Sequence, residues 1–191
     1  MSWSTLWAMI LDRADSFLLL IDLQERLVPA VREPRRLVGN CLRLMRAAEM
    51  LEVPLFLTEH CADKIGPVVE EIRTRVEETQ VLQKRSFSTL REPRCRERLE
   101  GLGRLSPVIA GTEAHVCVLQ TALDLKAAGY APRYVVDAVS TRKESDLTTA
   151  VARAEANGIE VMSVEMVLFE WLGRGDDPDF GSVLELIKSD L

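Results

Sequence analysis

The 191-residue sequence lacks the features that mark secreted or membrane-anchored chains. Its four cysteines show no CxxC spacing, and nothing at the N-terminus resembles a secretory leader with a basic flank and a cleavage site. The apolar patches in MSWSTLWAMILDRAD are too short to span a bilayer. We therefore expect a cytoplasmic protein without disulfides, and the N-terminal segment is predicted to be a short helix or arm.

The sequence also has no excess of positive charge. It carries 24 Lys and Arg residues against 30 Asp and Glu residues, a net charge of −6 at pH 7. Such a balance offers no general attraction to nucleic acid or to an anionic membrane surface. Short basic clusters alternate with glutamates, which is typical of solvated helix faces. We expect a small-molecule ligand, with no nucleic acid and no membrane as a partner.

No internal repeat, low-complexity tract or linker divides the chain, and its length fits one domain. Short apolar runs typical of buried parallel strands alternate with helical apolar stripes. The runs are residues 16–21, 53–58, 79–83, 107–110, 133–136 and 159–163. This alternation predicts an α/β fold, a three-layer α/β/α sandwich around a mostly parallel six-stranded sheet. We expect residues 15–191 to form this domain and residues 1–14 to form an N-terminal arm that packs on it or on a neighbouring subunit.

The stretch SPVIAGTEAHVCVLQTALDLKAAGY, residues 106–130, combines a buried strand with a helix that carries a cysteine. The strand ends at Gly111, and Cys117 falls in the first turn of the helix that follows. Unpaired N–H groups and the positive end of the helix dipole favour a thiolate there, and they offer donors to an oxyanion. The alternative is that Cys117 is a small core residue, as buried cysteines usually are.

Two further polar residues follow predicted strands. Asp22 comes after the first strand and Lys84 after the third. Taken singly, Asp22 could be a capping residue and Lys84 a surface lysine. Ligands of parallel sheets bind outside the carboxyl ends of the strands, where the strand order reverses. A carboxylate, an ammonium and a thiol at this edge predict a cysteine nucleophile that needs no histidine.

Three motifs resemble the isochorismatase-like cysteine hydrolases, the superfamily that includes nicotinamidases and N-carbamoylsarcosine amidases. They are LLLIDLQERLVPAV around Asp22, LQKRSFSTL around Lys84 and VIAGTEAHVCVLQTALDLKAAGY around Cys117. The resemblance runs from about residue 15 to the C-terminus and is greatest to the isochorismatase-domain hydrolase branch. It implies the Rossmann-like, isochorismatase-like hydrolase fold and a homo-oligomer, a dimer or larger.

The resemblance also implies roles for individual residues. Asp22 would be the general base, Lys84 its electrostatic partner and Cys117 the nucleophile. A cis peptide bond would join Thr112 to Glu113, and the backbone N–H groups of Glu113 and Cys117 would form an oxyanion hole. The residues expected around a substrate are Gln24, Glu59, His60, Phe87, Thr112 and His115.

Two departures from the family pattern narrow the chemistry. Metal-dependent nicotinamidases carry an aspartate and closely spaced histidines after the second strand, whereas this sequence has only His60 there. We therefore expect no metal and no other cofactor, with His60 and His115 as structural or pocket residues. Isochorismatases proper generally lack the cysteine, so Cys117 favours cleavage of an amide or ureido C–N bond. The alternatives are hydrolysis of a vinyl ether, a non-catalytic oligomeric scaffold and a thiol redox responder.

Overall fold

The structure, a computed structural model, describes residues 10–189, which fold around a six-stranded parallel sheet. The strands are β1 (Ser16–Ile21), β2 (Leu55–His60), β3 (Val81–Lys84), β4 (Ser106–Gly111), β5 (Arg133–Val139) and β6 (Glu160–Met162). Their order across the sheet is β3-β2-β1-β4-β5-β6, and every neighbouring pair is parallel. The predicted α/β fold with six strands is confirmed.

Helices connect the strands and cover both faces of the sheet. They are α1 (Pro34–Met50), α2 (Ala62–Ile65), α3 (Glu70–Arg73), α4 (Pro93–Glu100), α5 (Leu119–Ala127), α6 (Glu144–Ala156), α7 (Val164–Leu172) and α8 (Phe180–Lys188). Pro34 and Pro93 stand in the first turns of α1 and α4, where the missing N–H costs no hydrogen bond. Within the described residues, no helix is long and apolar enough to cross a membrane.

The side chains of β1 alternate between two apolar cores. Leu18 and Leu20 pack on one face against α1, α7 and α8, whereas Phe17 and Leu19 pack on the other against α4, α5 and α6. Every residue of β1 is buried because both faces are covered. This central strand therefore delivers Asp22, the residue that follows it, to the interior.

The strand order reverses between β1 and β4. The chain adds β2 and β3 on one side of β1, and then β4, β5 and β6 on the other. β1 and β4 pair in register along their whole length, from Ser16 opposite Ser106 to Ile21 opposite Gly111. The carboxyl ends of β1 and β4 therefore meet at the switch point where such sheets bind ligands.

Several element boundaries differ from the predicted ones. β2 runs to His60 and not to residue 58, so Glu59 and His60 lie in the strand. β3 begins at Val81 because residues 78–80 form a 3₁₀ turn closed by hydrogen bonds between Glu77 and Gln80. β5 continues to Val139, past a shift in its register with β4, so Asp137 lies inside the strand. A short helix, α2, occupies part of the segment that follows β2. Residues 1–9 of the predicted N-terminal arm lie outside the described residues.

Candidate active site

Asp22 lies at the end of β1 in the left-handed backbone region, with a φ of 48°. Its side chain is fully buried, and each carboxylate oxygen has a donor. Oδ2 accepts a hydrogen bond from Lys84 Nζ at 2.7 Å, and Oδ1 accepts one from Thr58 Oγ1 at 2.6 Å. A carboxylate is tolerated in the interior only with such partners. Thr58 and Lys84 therefore hold the negative charge of Asp22 in place.

Lys84 is the last residue of β3 and reaches past β2 to Asp22. Its ammonium has three donor hydrogens. Besides Asp22 Oδ2, its Nζ donates to the carbonyl oxygens of Phe87 at 3.0 Å and Ser86 at 3.3 Å. The ion pair of Lys84 and Asp22 is excluded from solvent. Because all three donors are engaged, Lys84 is arranged to supply charge and not a proton.

Cys117 lies in a π-helical turn, Ala114–Val118, that joins β4 to α5. It is 5% exposed. Burial raises the pKa of the Cys117 thiol well above its ordinary value, and the nearby Asp22 carboxylate raises the pKa further, whereas the Lys84 ammonium acts in the opposite direction. The fold therefore brings Asp22, Lys84 and Cys117 together, with the resting thiol protonated at neutral pH.

The turn between β4 and the π-helical segment is attached to β1. Gly111 has a φ of 122°, and a Cβ atom on it would lie 2.1 Å from the carbonyl oxygen of Ile21. The next residue, Thr112, donates from its N–H to Ile21 O at 2.8 Å and from its hydroxyl to the carbonyl oxygen of Asp22. The peptide bond between Thr112 and Glu113 is cis. A glycine is therefore required where β4 approaches β1 this closely.

The side chains of Gln24 and Glu59 hold loops at the carboxyl edge of the sheet. The Gln24 amide donates to the carbonyl oxygens of Gly66 at 2.6 Å and His60 at 3.1 Å, and its oxygen accepts from the His60 N–H at 2.7 Å. Glu59 accepts a hydrogen bond from the Val68 N–H at 2.8 Å. Both side chains are buried. The side chains of Gln24 and Glu59 thus form hydrogen bonds with backbone groups of the protein itself, and the Thr112 hydroxyl does so with the Asp22 carbonyl oxygen.

His60 and Phe87 form an aromatic pair beside Lys84. Their ring centroids are 5.2 Å apart with planes inclined by 33°, and Phe87 is 51% exposed. Burial lowers the pKa of His60, and the Lys84 ammonium lowers it further. The imidazole is therefore neutral at neutral pH. Of the residues expected around a substrate, Phe87 is exposed and both histidines are partly exposed, whereas the other three side chains are buried.

The side chains of His115 and Glu113 turn towards the start of α6 and the loop before it. His115 Nε2 lies 3.8 Å from an oxygen of Asp146 in α6, and Glu113 accepts a hydrogen bond from Nε of Arg142 in the loop at 2.7 Å. These contacts hold the residues that follow the Thr112–Glu113 peptide bond against the rest of the fold. Among residues 10–189, no group of three or more His, Cys, Asp and Glu side chains is arranged to hold a metal ion.

Thr58 is the residue of this cluster that sequence reasoning missed. It is fully buried, and its hydroxyl bonds the Asp22 carboxylate directly. One signal could have identified it, because Thr58 is the polar residue that ends the otherwise apolar run 53–58 and stands near the end of a central strand. Buried hydroxyl groups require a partner, and at this edge the nearest candidate was the carboxylate after β1.

The chain is similar to known proteins in both sequence and fold. The family model described as the Isochorismatase domain matches residues 16–166. The human isochorismatase domain-containing protein 2 is 33% identical over 174 residues, which cover 91% of this chain and 83% of that protein. The mouse isochorismatase domain-containing protein 2B is 32% identical over 174 residues, covering 91% of this chain and 81% of its own.

Two solved structures have closely similar folds. The MAR1 ribonuclease from Caenorhabditis elegans superposes with a TM-score of 0.88 and 30% identity, covering 95% of this chain and 93% of its own. The ycaC gene product of Escherichia coli, described as an octameric hydrolase of unknown specificity, has a TM-score of 0.88 and 25% identity. Its match covers 93% of this chain and 89% of that one.

Proposed function

Because the chain belongs to the isochorismatase family, we propose that it is a hydrolase that cleaves a C–N bond of a small amide or ureido compound through a thioester at Cys117. One observation carries this proposal, the burial of the Cys117 thiol beside the ion pair of Asp22 and Lys84. A thiol that is protonated at neutral pH needs a base to become a nucleophile. Asp22 is the carboxylate in reach of it.

In the first half-reaction, the Cys117 sulfur attacks the carbonyl carbon while Asp22 takes the thiol proton. The C–S bond forms, and the electron pair of the C=O bond moves to oxygen, where the N–H groups of Glu113 and Cys117 stabilise the charge. Collapse of this intermediate breaks the C–N bond. Asp22 returns the proton to the leaving nitrogen, which departs as ammonia or an amine, and a thioester remains.

In the second half-reaction, water attacks the thioester carbon while Asp22 takes a proton from it. The C–S bond breaks, and the proton passes from Asp22 to the departing thiolate of Cys117. The products are an acid and the free thiol, so atoms and protons balance. Lys84 keeps its charge throughout, because its three donors remain bound, and this charge favours the transient thiolate.

Other reactions receive less support from these residues. Vinyl ether hydrolysis does not need a nucleophilic thiol. The name of the nematode neighbour raises RNA hydrolysis, but a net charge of −6 gives no general affinity for a phosphate backbone. A scaffold would not require an acceptor for the thiol proton. Redox-responsive cysteines are accessible to solvent and have a lowered pKa, whereas Cys117 is buried and its pKa is raised. We therefore retain these functions only as outcomes of the test.

We expect a screen of small amides and ureides to identify a compound that the wild type hydrolyses and Cys117→Ala does not. With a slow substrate, mass spectrometry should detect an acyl group on the peptide that contains Cys117. Cys41→Ala is the matched control, because Cys41 is buried against Ala138 on the opposite face of the sheet. This variant should retain the wild-type rate.

Hydrolysis that persists in Cys117→Ala would contradict the nucleophile. The screen should also include RNA and a vinyl ether. Cleavage of one of these two compounds without cleavage of any amide or ureide would contradict the proposed substrate class. If the wild type is alkylated at Cys117 but turns over no compound, the scaffold or redox alternatives are favoured instead.

We also propose that the chain forms a homo-oligomer, a dimer or larger. The E. coli neighbour is described as octameric. Ile10, Met166 and Phe169 are between 39% and 58% exposed, and the N–H of Leu11 donates to Glu170 on α7, which brings Ile10 near the other two. Exposed apolar groups of this kind mark association surfaces.

Sedimentation at micromolar concentration should therefore give at least a dimer. Met166→Lys should shift the distribution towards the monomer, because it places a charge in the apolar contact. Leu105→Lys is the control, since Leu105 is similarly exposed but lies before β4, away from α7. A wild-type monomer at this concentration would refute the assembly.

A further inference from the structure

We propose that Thr58 is a positioning residue whose hydroxyl sets the orientation and the effective charge of the Asp22 carboxylate towards Cys117. This inference rests on the proposed function, because it assigns the group that prepares the base of that reaction. It adds a fourth side chain to the arrangement of Asp22, Lys84 and Cys117. No substrate, metal or partner is needed for the role.

The direction of the hydrogen bond between Thr58 and the Asp22 carboxylate follows from the neighbours of the hydroxyl group. Thr58 Oγ1 lies 3.2 Å from the Asp22 N–H, which can only donate, and 2.6 Å from Asp22 Oδ1. Because the hydroxyl oxygen accepts from the N–H, its own hydrogen is free to point at the carboxylate. The Asp22 N–H also lies 3.2 Å from the Thr58 carbonyl oxygen. Thr58 therefore holds both the backbone and the side chain of Asp22.

Lys84 alone cannot fix the orientation of the Asp22 carboxylate. A single donor on Oδ2 leaves the carboxylate able to turn about its own axis, whereas donors on Oδ1 and Oδ2 together fix its plane. The Thr58 hydroxyl also donates a charge-assisted hydrogen bond, which partly neutralises the negative charge of the Asp22 carboxylate. Without this bond, the carboxylate keeps more of its negative charge and disfavours the thiolate of Cys117 more strongly. The apparent pKa of the thiol should then rise, and less thiolate is present at neutral pH.

The test measures the rate of iodoacetamide alkylation of Cys117 against pH, in a background where Cys41, Cys61 and Cys95 are alanine. Thr58→Val keeps the shape of the side chain and removes the hydroxyl. We expect it to shift the profile to higher pH and to slow alkylation at neutral pH by about threefold to tenfold. Thr58→Ser keeps the hydroxyl and should restore the wild-type profile.

Ser16→Ala is the matched control. Ser16 is fully buried and its hydroxyl donates to the Asp12 carbonyl oxygen, but it stands at the amino end of β1, the opposite edge of the sheet. Its loss should leave the alkylation profile unchanged. If Thr58→Val does not fold, Thr58→Ala and Thr58→Ser provide the same comparison, because they differ only in the hydroxyl.

The outcomes separate this inference from the proposed function, since alkylation requires no substrate. A profile that moves in Asp22→Asn but not in Thr58→Val would overturn the role of Thr58 and leave the proposed function standing. A profile that moves in neither variant would overturn both. A shift in Thr58→Ser as large as that in Thr58→Val would also overturn the inference, because the hydroxyl would then not be responsible.

Discussion

Replacement of Asp22 by Asn is expected to reduce hydrolysis of a confirmed substrate by on the order of 10²–10⁴-fold, the usual cost of losing a general base. The amide keeps the shape of the carboxylate but cannot accept the thiol proton of Cys117. The measurement is kcat/KM for the wild type and the variant on the compound found by screening. A variant within a few-fold of the wild type would remove Asp22 from the mechanism.

The same variant should increase the reactivity of the thiol while it abolishes turnover. The Asp22 carboxylate raises the pKa of Cys117, so its removal should lower that pKa and speed alkylation at neutral pH. The Lys84 ammonium acts in the opposite direction, so Lys84→Met should raise the pKa and slow alkylation. A rise of the apparent pKa in Asp22→Asn would mean that another group accepts the proton.

Stability must be measured beside activity, because Asp22→Asn leaves the Lys84 charge buried without its carboxylate. Breaking a buried ion pair from one side costs about 3–5 kcal/mol. The double variant Asp22→Asn with Lys84→Met removes both charges and should recover much of that stability. It should not recover activity. Recovery of both would show that the loss in the single variant came from unfolding and not from the missing base.

Gly111→Ala should be among the most destabilising single substitutions in the chain. The new Cβ would stand 2.1 Å from the Ile21 carbonyl oxygen, which is a backbone atom of the central strand and cannot move aside. Separating β4 from β1 breaks their register and the hydrogen bonds of Thr112. We expect a loss of more than about 4 kcal/mol in the free energy of unfolding, measured by denaturant titration.

Gly129→Ala is the control for this substitution. Gly129 also has a positive φ, of 92°, but a Cβ on it would meet nothing within 4 Å. The Gly129→Ala variant should therefore be destabilised only by the backbone strain of an alanine with a positive φ, about 1–2 kcal/mol. A similar loss in both variants would assign the whole effect to backbone conformation and contradict the close approach of β4 and β1.

Much of the site could be predicted from the chain because local patterns encode it. The run Ser16–Ile21 is apolar at every position after Ser16, so it predicts a strand covered on both faces, and the polar residue after it must stand at a strand end. The same reasoning assigned Lys84 to the end of β3 and Cys117 to the first helical turn beyond β4. These assignments need no knowledge of which strands are neighbours.

The element boundaries were harder to predict because they depend on pairing. Asp137 was expected to follow β5, yet the strand continues through it after a register shift against β4. The position of that shift is decided by the neighbouring strand, and no residue of β5 signals it. The roles of Gln24 and Glu59 were also hard to predict. Both were expected near a substrate, and only the folded chain shows that backbone groups already engage their side chains.

The sequence by itself determined that strands and helices alternate, that a carboxylate and an ammonium stand at strand ends, and that a thiol stands in the helical turn just beyond another strand. Only the tertiary structure decided that Lys84 passes β2 to reach Asp22, that the Thr58 hydroxyl takes the other carboxylate oxygen, and that Cys117 is shielded from solvent. The physical reason is that apolar periodicity records burial along one strand at a time. Contacts between residues far apart in the chain follow from strand order and register, which depend on the packing of the whole sheet.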